Sequence, residues 1–161
     1  LVNVSGTSGI RVGIGSNVTA RTGVAIGLNS SASGSGSNSV AIGSGNYASY
    51  GGVAIGKNVS QSGSGSGFAI GRDITTSSKG MVIGINSSAT RSSLAIGSGA
   101  TASGTNSVSL GTGTVAGSPG STRSNIVAVG LRTTVTGNST NSINIGSKNL
   151  ISTDSQMLRG K

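Results

Sequence analysis

Asn38-Ser39-Val40-Ala41-Ile42-Gly43-Ser44 is the stretch that decides the fold. Val40 and Ile42 stand two residues apart, the spacing of one strand face, and Ala41 between them belongs to the other face. Gly43 closes the unit, and Asn and Ser around it are turn residues. The four-residue unit recurs ten times. Upstream stand Val12-Gly13-Ile14-Gly15 and Val24-Ala25-Ile26-Gly27. Downstream come Val53-Ala54-Ile55-Gly56, Phe68-Ala69-Ile70-Gly71, Met81-Val82-Ile83-Gly84 and Leu94-Ala95-Ile96-Gly97, then Val108-Ser109-Leu110-Gly111, Val127-Ala128-Val129-Gly130 and Ile143-Asn144-Ile145-Gly146. The closing glycines are 12, 16, 13, 15, 13, 13, 14, 19 and 16 residues apart, a period of about 14.6.

A weaker apolar pair follows each closing Gly three and five residues on, as in Val18/Ala20 and Ala100/Ala102. Elsewhere only one member is present: Ala32, Ala48, Val59, Ile74, Ala89, Ala116 or Val135. Each period therefore holds two short strands and two turns. Glu is absent, Leu is scarce, and β-branched residues and Gly dominate, which excludes helices. A period of this length with two strands is one flattened coil. Stacked coils, about 4.8 Å apart, give an all-β parallel β-roll (a solenoid) of about ten short coils spanning residues 1–149, with 150–161 as a separate C-terminal segment.

Composition narrows the chemistry. Thirty of 161 residues are Gly and 33 are Ser, with 2% aromatic residues, no Cys and no His. No disulfide, thiolate metal site or imidazole base is available, and a metal or cofactor is not expected. Two acids in all, Asp73 and Asp154, leave no carboxylate pair for catalysis, so the chain does not read as an enzyme. The net charge is +9, from basic residues spread between Arg11 and Lys161. That spread favours anionic partners by field rather than by a defined site. Tyr47, Tyr50 and Phe68 are too few to stack bases, so no specific nucleic acid is expected. No run reads as a signal peptide or reaches the length of a membrane span.

Six of the ten units carry Ala between their two large apolar residues. A solvent-facing strand position is ordinarily Thr, Ser or Lys, so small apolar residues there imply a second covered face. No helix is available to cover it. A second subunit is therefore expected against Ala25, Ala41, Ala54, Ala69, Ala95 and Ala128, with Asn144 and Ser109 as polar members of the same face. That reasoning gives neither the handedness of the coil nor the number of subunits.

Asn38-Ser39-Val40-Ala41-Ile42-Gly43-Ser44, and its looser copies Asn106-Ser107-Val108-Ser109-Leu110-Gly111 and Asn141-Ser142-Ile143-Asn144-Ile145-Gly146-Ser147, resemble the head repeat of YadA-type trimeric autotransporter adhesins. The resemblance covers roughly residues 10–147. It implies a left-handed roll, a homotrimer, and display on the outer membrane of a Gram-negative cell as a virulence-associated adhesin. A signal peptide, a stalk and a membrane-anchoring barrel flank the head in that family, so the resemblance implies a piece of a longer protein, tied to the membrane only through an anchor outside these residues. Residues 150–161 depart from the neck pattern of the family and read as the start of a neck or as a final capping coil.

Three candidate sites follow. Asn38, Ser39, Val40, Ala41, Ile42, Gly43 and Ser44 resemble a motif linked in the family to collagen binding. The competing reading is that they are there to fold. Lys57, Arg72, Arg132 and Lys148 fall one or two residues after a closing Gly, and stacking would align them as a basic stripe for sulfated glycans or anionic matrix proteins. The 19-residue interval before Gly130 holds the lone proline, Pro119, and residues 118–124 read as a protruding loop. The sequons at Asn3, Asn17, Asn29, Asn58, Asn86 and Asn138 read as by-products of turn chemistry.

The leading expectation is an adhesive head binding collagen, laminin, fibronectin or sulfated glycans by multivalent, non-catalytic contact. A phage tail-fibre segment or a structural spacer is the alternative. An ice-binding solenoid ranks lower, because Thr is irregular.

Overall fold

The alternation of large apolar residues with Ala, closed by Gly, produces a strand each time it occurs. The computed structural model describes residues 2–3, 8–34, 38–118, 124–136, 140–152 and 157–159. Every regular element among them is a β-strand, and the chain forms a parallel β-solenoid of about nine turns. It comprises two units, Leu1–Lys79 and Gly80–Lys161.

In the first unit the motif strands are Ile10–Val12, Val24–Leu28 and Val40–Ser44, with return strands Asn17–Val18, Ser31–Ser33 and Tyr47–Ser49. The next two coils merge motif and return into single ten-residue strands, Val53–Ser62 and Phe68–Ser77. Pairing is parallel and keeps the repeat in register: Val40 meets Val24 and Val53, and Ile42 meets Ile26 and Ile55. Val2–Asn3 runs antiparallel against Ile10–Val12.

The second unit repeats the pattern. Its motif strands are Met81–Ile85, Leu94–Ser98, Val108–Leu110, Val127–Leu131 and Ile143–Ser147. Its return strands are Ser88–Ala89, Thr101–Ala102, Val115–Ala116, Thr134–Val135 and Leu150–Ile151. Met157–Arg159 then pairs in parallel with Ile143–Ile145.

Two registers differ from the sequence reading. Ile10, Arg11 and Val12 pair with Val24, Ala25 and Ile26. The first repeat is therefore Ile10-Arg11-Val12-Gly13, two residues earlier than Val12-Gly13-Ile14-Gly15, and the step to Gly27 becomes 14 residues. The Arg at the Ala position hid it. Met157-Leu158-Arg159 occupies a further motif position that escaped notice because Arg replaces the Ile.

The larger correction concerns which face is inside. Ala25, Ala41, Ala54, Ala69, Ala95 and Ala128 are fully buried within their own chain, as are Ser109 and Asn144. They do not line a face left open for another subunit. Across each coil they meet the inward residues of the return strand, among them Ala32, Ala48 and Val59 in the first unit and Ala102, Ala116, Val135 and Ile151 in the second. Ala is the commonest side chain at this inward motif position, and Val82 takes the same position in its own coil, also fully buried.

The position three residues after the closing Gly is also inward, and it is polar more often than the sequence reading held. Ser30 Oγ donates to Gly43 O at 3.0 Å and Ser87 Oγ to Gly97 O at 2.7 Å, so each stitches its coil to the next. Asn46 spans two coils. Its Nδ2 donates to Ile42 O and Gly56 O, and its Oδ1 accepts from Val59 N. These bonds make the thin interior tolerable for polar groups. The expected loop falls mainly on residues 119–123, outside the described residues; beside it, Ser124 forms a parallel bridge with Thr105.

Candidate adhesive surface

Since Ala points inward, its two neighbours in each motif strand point outward. In the first unit these columns are Ile10, Val24, Val40, Val53, Phe68 and Val12, Ile26, Ile42, Ile55, Ile70. Side chains in the middle of the stack are half-buried by their rung neighbours alone. In the second unit Met81, Ile83, Ile96 and Ile145 are 38–43% exposed. A lone chain thus presents an apolar sheet face along each unit. Soluble monomers rarely expose contiguous apolar surface of that extent, and such surface marks an interaction site.

The return strands present the opposite chemistry. Their outward column reads Asn17, Ser31, Tyr47, Ser60 and Thr75 in the first unit. It reads Ser88, Thr101, Val115, Thr134 and Leu150 in the second. Hydroxyl-bearing residues dominate, as on a face that meets water.

The motif Asn38 to Ser44 divides between inside and outside. Ser39 and Ala41 are buried. Ser39 Oγ donates to Ser33 O at 2.9 Å and accepts from Gly51 N at 3.1 Å, a fold-holding role. Val40 and Ile42 belong to the apolar columns. Asn38 is exposed, and its Oδ1 accepts a hydrogen bond from Thr22 Oγ1. The seven residues are not one continuous binding surface.

Within each unit two of the candidate basic residues lie on neighbouring coils. Lys57 and Arg72 are register partners one residue after the closing Gly, and both are exposed. Arg72 Nε lies 3.6 Å from Asp73 Oδ2, and Asp73 also accepts from Asn58 Nδ2 at 2.9 Å. Arg132 and Lys148 stand two residues after it, in left-handed backbone, with φ of 53° and 57°. Asn29, Asn58 and Asn86 share that turn position and conformation, which accounts for their sequons: Asn tolerates the left-handed region.

Asn144 sits inside its own coil. Its Nδ2 donates to Thr134 O and Asn149 O, at 3.0 and 3.1 Å. Among the described residues no three His, Cys, Asp or Glu side chains gather to hold a metal ion. Sequence reasoning missed the outward role of the Val and Ile columns. The alternation separates the two faces of each strand but not which one is enclosed, and side-chain size does not decide it, since Val59, Ile74 and Val82 are fully buried inside.

Two stretches of the chain, residues 19–46 and 91–114, match the YadA head domain repeat. Each holds two motif strands and the return strand between them. A search of the curated proteins returns no match.

Proposed function

We propose that this chain, which carries the YadA head domain repeat at residues 19–46 and 91–114, is the adhesive head region of a trimeric autotransporter adhesin. Heads of that type form trimers and bind host surfaces in general, and the family is one of surface-exposed adhesins. The observation that carries the reading is the contrast between faces: apolar Val and Ile columns on the motif strands, and Ser and Thr on the return strands. Three copies burying their apolar columns against one another leave the hydroxyl-rich faces outward. That inverts the interface expected from sequence, in which the alanines met the partner. Left-handed coiling and outer-membrane display follow from the family relationship.

Binding in this reading is contact without turnover, repeated along the stack and across three chains, with host matrix proteins or sulfated glycans as ligands. The pairs Lys57/Arg72 and Arg132/Lys148 supply the electrostatic part. Sedimentation velocity tests the assembly: the wild-type chain is expected to run as a trimer, and a folded, stable monomer would overturn it. Solid-phase binding to collagen, laminin, fibronectin and heparin at two salt concentrations tests the adhesive role. Salt-sensitive binding assigns it to the basic pairs, and absence of binding to any surface removes the adhesive reading.

A further inference from the structure

The chain has three aromatic residues, and two of them stand on one coil of the first unit. Tyr47 is 40% exposed and Tyr50 49%. Tyr47 takes an outward position on the return strand, with Ser31 as its register partner on one side and Ser60 on the other. Neither phenol donates a hydrogen bond to a described residue. The Tyr47 ring is thus held on the hydroxyl-rich face, where neighbouring coils carry Ser, and Tyr50 stands half-exposed in the turn that follows.

Tyr50 adds an independent observation. Its backbone is left-handed, with φ of 50°. Extending the register puts Gly34 at the corresponding place in the preceding coil and Gly63 in the following one, at φ of 109° and 95°. A bulky side chain is unfavourable in that region, whereas Gly adopts it freely. The two adjacent coils carry Gly where this one carries a half-exposed aromatic residue, and Ser78 holds the same left-handed turn one coil beyond Gly63.

We propose that Tyr47 and Tyr50 form a contact platform for uncharged glycans. A pyranose ring lays its C–H face on the Tyr47 ring, and its hydroxyls bond the side chains of Ser31 and Ser60 and the phenol groups. Tyr gives rigid, amphipathic contact area at low entropic cost, and Ser beside it gives adaptable hydrogen bonding. The column Asn17, Ser31, Tyr47, Ser60, Thr75 contains amides and hydroxyls but no charge, which favours a neutral polyhydroxylated ring over an anionic chain. The proposal rests on the adhesive reading above and on the return face remaining open in the assembly. Three copies per trimer raise avidity for a multivalent surface.

The test uses the full chain on an array of neutral and sulfated glycans, with Tyr47→Ser and Tyr50→Gly. Tyr50→Gly restores the residue type of the adjacent coils, so its thermal midpoint is expected to equal or exceed that of the wild type. Neutral-glycan binding is expected to fall about tenfold or more in each variant. Unchanged glycan binding in both variants overturns the proposal, as does a lowered midpoint in Tyr50→Gly, which would assign Tyr50 to the fold. Wild-type chain that binds matrix protein or cells but no neutral glycan also overturns it, while the adhesive reading stands. If the wild type binds no glycan, matrix protein or cell, the adhesive reading fails as well.

Discussion

A Cβ placed on Gly27 would lie 1.9 Å from the carbonyl oxygen of Gly43, one coil further on. Gly27 also has φ of 118°, a region close to Gly-only. The closing Gly is thus required twice, by its own backbone and by the approach of its neighbour. Gly27→Ala is expected to cost about 3 kcal/mol or more. Gly99 differs: φ is 67° and the nearest atoms to its Cβ stand at 3.8 Å. Gly99→Ala is expected to cost about 1 kcal/mol. Urea midpoints of the two variants check the order, and equal losses would contradict it.

Ala54 and Ile55 are adjacent and face opposite ways. Ala54 is fully buried in its coil, while Ile55 belongs to the outward apolar column. Ala54→Asp places an unpaired charge inside the roll and is expected to destroy the β-sheet circular dichroism signal. Ile55→Lys is expected to keep that signal and to shift sedimentation toward monomer. Loss of fold in both, or of assembly alone in Ala54→Asp, would restore the interface expected from sequence.

Thr76 and Thr133 are fully buried with hydroxyls that have no partner, whereas Thr114 pairs with Ser109 at 2.7 Å. Removing an unpaired buried hydroxyl at constant shape is favourable. Thr76→Val and Thr133→Val are each expected to stabilise by about 1 kcal/mol. Thr114→Val is expected to destabilise by about 1 kcal/mol, because it removes the hydroxyl that bonds Ser109 Oγ and Gly111 O, although Ser109 Oγ keeps its bond to Thr114 O. Calorimetric midpoints distinguish the signs.

Asn46 makes three bonds, one within its own coil at 2.6 Å and two to the next coil at 2.8 and 2.9 Å. Asn46→Ala leaves two carbonyls and one amide of the stack without these partners. The expected loss is about 3 kcal/mol, one for each bond. Amide hydrogen exchange checks the location: Val59 N–H is expected to exchange faster, while amides of the second unit keep their protection.

Much of this was legible from residues 40–43 and their copies. Alternation with period two gave strands, the Gly spacing gave the coil, and turn residues gave its corners. The second strand of each coil was also visible, in Ala32, Ala48 and Val59. Less legible were the ends of the repeat, where Arg11 and Arg159 break the pattern while the backbone ladder continues to hold the register. A ladder of main-chain bonds is indifferent to side-chain identity, so pairing extends beyond the point where composition can signal it.

By itself, the order of residues established a parallel stack of short coils with two chemically distinct strand faces. It did not establish which face is enclosed, because alternation separates the faces without giving their direction. The tertiary structure decided that: Ala41 and its equivalents are enclosed between the two strands of each coil, and Val40 and Ile42 stand on the outer side. The same closure put Tyr47 on the outward side of its return strand and Asn144 inside its coil, relations set by how the strands pack rather than by any pattern along the chain.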